Sequence, residues 1–268
     1  MHSTYVLIDT TLLGDLQTKP WLQKNRRPSW IAAIYGRYAI DVSPVVIDVA
    51  RAVQCSRISS LMNIVNARRP QLGVSFIETT LTLEKLVEHL RQFICVLTRG
   101  DVELTLRFAD GVVLPNLASI LTPEQWTLIT APFTSWKVHG RDGKLFSLPI
   151  GNARDSTRPP LMLTGAQIRA LKDSMGADQL LVNLRMYRIA PPSAYLSAEA
   201  FAYATQARRM WHVAGHSDDQ DLVLFAAGVF DTDGRLLSVS GLEDALAGSD
   251  RMKIRESLQR MIELNTTV

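Results

Sequence analysis

His212 and His216 stand four residues apart, the spacing in this chain nearest to a metal site. On one continuous helix such a pair shares a face, and Asp218, Asp219 and Asp221 follow as third ligands for zinc. Read that way, the chain is a metal-dependent hydrolase working through His212 and His216. Gly215 argues against continuity, because a glycine between the two rings is a helix terminator. Ser217 and Asp218 have the residue types of a helix cap and a first-turn acid. The expectation is no metal and no cofactor, with the hydrolase as the alternative reading.

Other polar constellations carry less chemistry. Asp231-x-Asp233-Gly234 opens like a calcium loop, but Leu236-Leu237-Ser238 follow where such a loop continues toward its glutamate, so a turn is expected. Glu78 and Glu84 are an acid pair that the sequence does not bring together, and a glutamate in a first helical turn is common. There is no G-x-S-x-G elbow, no phosphate-binding loop, no G-x-G-x-x-G and no H-E-x-x-H. No catalytic residue is assigned, and a non-enzyme is expected. Arg107 and Asp110 are the pair that matters most. An arginine at a strand end, three residues before an aspartate in a turn, can form a bidentate ion pair that fixes the strand-to-helix geometry; that clamp is expected, with an anion site or partner contact as the other reading. Breaking such a buried clamp costs on the order of 3–5 kcal/mol.

The elements that must position these groups change character along the chain. Strands are expected over 5–9, 31–35 and 73–77, and a helix opening at Ser43-Pro44 with Val45, Val46, Val49 and Ala52 on one face. Thr82 caps a helix carrying Leu83, Leu86, Val87, Leu90, Phe93, Ile94 and Leu97. Val102, Leu104, Leu106 and Phe108 alternate with polar residues as a half-buried strand. Asp110-Gly111 ends it, a helix through Leu114, Leu117 and Leu121 follows, and Thr122-Pro123-Glu124-Gln125 is a capping box opening another. A hairpin turns at Arg141-Asp142-Gly143. Residues 151–160 are polar and aperiodic, which marks a linker. Beyond it Thr164-x-x-Gln167, Ser197, Ser217-x-x-Gln220 and Ser249 each open a helix, and 222–230 is apolar on every side. The expected fold is an α/β (α+β) lobe with a mixed sheet over 1–150, a linker over 151–160 and a small all-helical lobe over 161–268.

Composition sets the class. The chain has 268 residues, 47% hydrophobic and 21% charged, with a formal net charge of +3. At this length roughly three quarters of the unfolded surface can be buried. The basic pairs Arg26-Arg27, Arg68-Arg69 and Arg208-Arg209 lack interleaved aromatics, so no nucleic-acid partner is expected. Cys55 and Cys95 have neither disulfide nor metal spacing, which suits a reducing compartment. No apolar run has the length of a membrane span, and the N-terminus lacks a signal-peptide pattern; a cytoplasmic protein with no membrane partner is expected.

Taken in order, these segments resemble the type VI secretion effector chaperones, an adaptor family. The resemblance rests on Tyr5-Val6-Leu7-Ile8-Asp9, on Ser43-Pro44, on the helix from Thr82 through Leu83-Glu84-Lys85-Leu86-Val87-Glu88-His89-Leu90 to Arg91, on Arg107-Phe108-Ala109-Asp110-Gly111, on Val113-Leu114 and on Pro123-Glu124-Gln125. Gly111 stands where the family has proline, and Ala109 where tyrosine is common. The resemblance covers about the first 150 residues, and the remainder in outline. It implies a bacterial cytoplasmic chaperone without catalytic activity that binds one cognate secreted effector, with the spike protein or its tip as a further partner. Binding of that kind needs an exposed apolar surface, part of an interface of ~1,600 Å². The helical lobe and the cleft between lobes are its expected place, with Tyr195, Tyr203, Met210 and Trp211 as anchors.

Overall fold

The computed structural model describes residues 2–13, 28–66, 71–98, 100, 102–151, 161–187, 197–217 and 219–266. The chain forms two compact units, Met1–Leu171 and Lys172–Val268, and the fold is α+β with helices filling the C-terminal part.

The first unit holds two sheets. Strands β1 (Ser3–Ile8), β2 (Ile31–Ala33), β3 (Val45–Asp48), β4 (Val74–Thr79), β7 (Phe133–His139) and β8 (Leu145–Ser147) form a six-stranded sheet in the order β2-β3-β1-β4-β7-β8, with every pairing antiparallel. β5 (Cys95–Thr98), β6 (Glu103–Thr105) and β9 (Met162–Leu163) form a smaller sheet in which β6 is antiparallel and β9 parallel to β5. Mixed pairing is thus confined to the small sheet.

Ser43-Pro44 opens β3 rather than a helix. Val45, Val46 and Ile47 are β-branched and fully buried, and they pair with both β1 and β2. The helix starts only at α2 (Val49–Gln54), where the Asp48 carboxylate accepts from Arg51 N. α2 and α3 (Ile58–Val65) follow, and Ala52, Leu61, Ile64 and Val65 share a core with Val6, Ile8, Val45 and Ile47 on one sheet face. The other face packs on α4 (Leu83–Arg91), α5 (Val113–Ile120) and α6 (Pro123–Thr130), through Leu86, Leu90, Leu114, Leu117, Trp126 and Ile129 around Trp136. The Thr82 stripe stops at Arg91, and Leu97 belongs to β5.

The capping boxes at Thr122 and Thr164 form. Thr122 Oγ1 accepts from Gln125 N while Gln125 Oε1 accepts from Thr122 N, and Thr164 and Gln167 repeat the exchange at α7 (Gly165–Ser174). The boxes are joined, since Gln167 Nε2 donates to Gln125 Oε1 (2.6 Å) and Gln125 Nε2 donates to Met162 O (2.7 Å). This is why the units divide at Leu171 and not within 151–160. β9 and the first part of α7 are tied to the first unit, where Ile168 and Leu171 pack against its core. Residues 152–160 lie outside the described residues.

The second unit contains α8 (Gly176–Met186), α9 (Ala198–Val213), α10 (Asp219–Asp231), α11 (Leu242–Leu246) and α12 (Arg251–Thr266). Its core is built from Leu181, Leu184, Trp211, Phe225, Val229 and Leu258, with Ala200, Ala204, Ala207 and Ala226 letting the helices approach closely. Although 222–230 reads as apolar all round, Leu224 is 49% exposed. Asp250, one residue after the expected cap Ser249, accepts from Met252 N and Lys253 N at the start of α12.

Candidate functional site

Arg107 is the centre of a polar cluster at one end of the large sheet. Its Nη2 lies 3.2 Å from Asp110 Oδ2 and 3.1 Å from Asp9 Oδ2, and it donates to Thr11 Oγ1 at 3.1 Å. The pairing is therefore one nitrogen shared by two carboxylates rather than a bidentate fork. Asp9, the last residue before α1 (Thr10–Leu13), is the member that sequence reasoning missed as a partner. Its Oδ1 accepts from Thr11 N (2.9 Å) and Thr11 Oγ1 (2.6 Å). Asp110 Oδ1 accepts from Val112 N (2.9 Å), and its carbonyl accepts from Val113 N and Leu114 N as α5 begins.

The backbone closes the cluster from a third side. Asp9 N donates to Gly73 O and Gly111 N to Leu72 O, just ahead of β4. A Cβ on Gly111 would collide with Leu72 O. Proline there would in addition lose the N–H that Leu72 accepts. Gly111 is thus required by the approach of these two segments.

Both carboxylates are buried, whereas the Arg107 side chain is 48% exposed. Burial raises the Asp110 pKa above its ordinary value, against the lowering influence of Val112 N–H and Arg107. Burial also opposes the Arg107 charge, but Asp110 and Asp9 outweigh it and the net direction is up. The pair thus favours the charged arginine and disfavours the charged Asp110. The asymmetry follows exposure, since the guanidinium keeps a solvated side and the carboxylate does not. Through these bonds the cluster holds β1, the entry to β4 and the start of α5 together.

His212 and His216 do not form the paired face that their spacing suggests. α9 ends at Val213, and Gly215 turns the chain at φ +86°. His216 folds back so that its Nε2 donates to Leu246 O at 2.6 Å, with its ring 4.4 Å from that of Trp211. His212 Nδ1 donates to His216 O at 3.0 Å. Asp221 is paired with Arg255 (2.5 Å) and lies 3.8 Å from Arg251. Asp218 and the Asp219 side chain lie outside the described residues. Among the described residues no group of three or more His, Cys, Asp or Glu is placed to hold a metal ion. What remains there is a small depression of about 140 Å3 lined by Trp211, His216, Ser217, Asp221, Arg251 and Ile254.

The aromatic anchors are placed differently from expectation. Trp211 is 2% exposed and belongs to the helical core, so it offers no surface. Met210 and Tyr203 are half-buried against the same core. Tyr203 Oη donates to Asp233 O (3.1 Å), and its ring covers Gly234 and meets Phe230 edge-on. Tyr203 thus braces the turn at Asp231–Gly234, which is a left-handed turn and not a calcium loop. Tyr195 lies outside the described residues. Aromatic type suggested these anchors, and the same large apolar side chains serve equally to fill a helical core.

A family described as a domain of unknown function (DUF4123) matches residues 4–128. That stretch runs from β1 into α6 and contains Asp9, Arg107 and Asp110. No curated protein and no solved structure matches the chain. Among the described residues no helix is long and apolar enough to cross a membrane.

Proposed function

We propose that the protein is a non-enzymatic chaperone of the type VI secretion effector kind, which binds one cognate effector in the bacterial cytoplasm and passes it to the secretion spike. The observation that carries this reading is a coincidence of position. The segments that resemble the effector chaperones, from Tyr5 to Asp9, Thr82 to Arg91, Arg107 to Gly111 and Pro123 to Gln125, all fall within the residues 4–128 matched by the domain of unknown function. The polar cluster supports it in a second way. Arg107, Asp9 and Asp110 are spent on holding three segments of backbone together, which suits a rigid binding scaffold better than a reaction centre.

The test is co-expression of the full chain with the product of the neighbouring gene. A stoichiometric complex that survives gel filtration, with the neighbour insoluble when expressed alone, is the expected result. A neighbour that stays soluble alone and elutes separately from this chain would end the proposal.

A further inference from the structure

The small sheet is completed by a segment from outside the residues 4–128 that the family matches. β9 contributes only Met162 and Leu163 and runs parallel to β5, whereas the other described strand pairings are antiparallel. Leu97 N donates to Leu161 O at 2.9 Å. So short a ladder binds weakly by itself, and parallel pairing is slightly less stable per residue. Side chains hold the segment instead, as they hold a docked peptide. Leu161 and Leu163 are 1% and 2% exposed and join the core around Trp136, while Met162 between them is 51% exposed.

Groups within 4–128 grip the backbone and the glutamine of this segment. Leu97 and Thr98 pair with Met162 and Leu163. Gln125 Nε2 donates to Met162 O (2.7 Å), and Gln167 Nε2 donates to Gln125 Oε1 (2.6 Å) and to Ile120 O (3.3 Å) at the end of α5. Each capping box is closed within itself, Thr122 with Gln125 and Thr164 with Gln167. The bonds between the boxes can therefore part without uncapping α6 or α7.

We infer that the β5 edge, with Ile120 and Gln125, is a receptor groove for an extended Leu-x-Leu segment followed by a Thr-x-x-Gln helix start, and that residues 161–167 occupy it in cis as an autoinhibitory strap. A partner protein with this pattern enters by replacing the strap, strand for strand and glutamine for glutamine. The β5 backbone and Gln125 supply hydrogen bonds, and the two leucine sockets supply specificity. The inference goes beyond the chaperone reading and does not depend on the partner being a secreted effector.

The probe is a fluorescein-labelled peptide with the sequence of residues 161–171, titrated against the full chain by anisotropy. The parent should take it up poorly, because its own strap is tethered beside the groove. Leu161→Ser combined with Leu163→Ser in the chain removes both anchors of the strap, and this variant should bind the peptide roughly tenfold more tightly than the parent, or better. Gln167→Ala in the chain keeps both leucines and loses the bonds to Gln125 and Ile120, so it should gain about tenfold over the parent. A peptide with serine in place of both leucines should bind neither variant. A folded double variant that ignores the peptide, or that binds the leucine and serine peptides alike, would overturn the inference. If the double variant does not fold, Gln167→Ala decides, and no gain over the parent would overturn it.

Discussion

Residues 1–171 are pinned across long stretches of chain, whereas residues 172–268 are pinned between helices closer in sequence. In the first unit Arg107 reaches Asp9, Tyr5 Oη donates to Leu81 O, and Trp136 Nε1 donates to Ser75 Oγ, across 98, 76 and 61 positions. In the second, Tyr203 to Asp233, Arg255 to Asp221 and His216 to Leu246 span 30, 34 and 30. Charge differs in the same direction, since the second unit has 10 basic against 13 acidic residues where the first is basic. A sheet needs distant pins because a slip of one residue sends every side chain to the wrong face. Helices meeting through Ala200, Ala204, Ala207 and Ala226 are positioned by close packing instead. A single change should therefore do more damage in the sheet than in the bundle.

The largest contrast is expected in the cores. Trp136 is fully buried, stacks on Trp126, meets Phe133 edge-on and spends its indole N–H on Ser75. Trp136→Ala should lower stability by about 4–5 kcal/mol, and Leu184→Ala in the helical unit by about 3. Urea denaturation gives the sizes, and hydrogen exchange shows which unit loses protection. Equal losses, or loss of protection throughout the chain after Leu184→Ala, would break the comparison.

The ionic clusters sharpen it. Arg107→Ala leaves Asp9 and Asp110 without the guanidinium they share, whereas Arg255→Ala leaves Asp221 with Arg251 still near. About 3 kcal/mol is expected for Arg107, the low end for a broken pair because its guanidinium is half exposed, and about 1 for Arg255. If Arg107→Ala melted like the parent, Asp9, Arg107 and Asp110 would not be holding β1 to α5.

How far this could be read in advance follows the range of each interaction. The capping boxes at Thr122 and Thr164, the hairpin at Gly143 and the helix end at Gly215 are decided within a few residues, and the structure contains each of them. The Arg107–Asp110 pair was legible because its members are three apart, but Asp9 was not, since nothing local points across 98 positions. β3 was misread as a helix for a related reason. Val45, Val46, Val49 and Ala52 fit a helical stripe, and only pairing with β1 on one side and β2 on the other makes a strand of the first two. Trp211 lies in the helical core and not on a surface, because an aromatic side chain suits a packed core as well as an interface and its residue type alone does not say which covers it.

A smaller effect should appear with pH in the first unit. His89 packs edge-on against Phe93 and Phe133 and donates its Nε2 proton to Ile129 O at 2.8 Å, and burial lowers its pKa below 6.5. The neutral ring is favoured in the fold, so its contribution is complete above pH 6.5 and is lost as pH falls through the folded value, by about 1.4 kcal/mol per unit of depression. Asp110 has the opposite sign. Its raised pKa stabilises the fold below pH 3.8, and that contribution disappears as pH rises through the folded value. Between pH 7 and 5 the histidine should dominate, and the urea midpoint should fall. His89→Gln keeps a donor for Ile129 and removes the titration, so its midpoint should stay level; a variant that tracked the parent would assign the loss to other groups.

The smallest predicted change is also the one for which the two units should agree. Thr122 caps α6 in the first and Ser197 caps α9 in the second, each accepting from a backbone N–H three residues on. Neither bond crosses to another element, so neither depends on sheet register or helix packing. Thr122→Ala and Ser197→Ala should each lower stability by about 1 kcal/mol. A loss at Thr122 several times that at Ser197 would show that its box is not local. The route would be Gln125, whose carbonyl oxygen also accepts from Gln167 and whose amide donates to Met162 O, tying α6 to β9 and α7. The long-range character of the first unit would then extend into its helix caps.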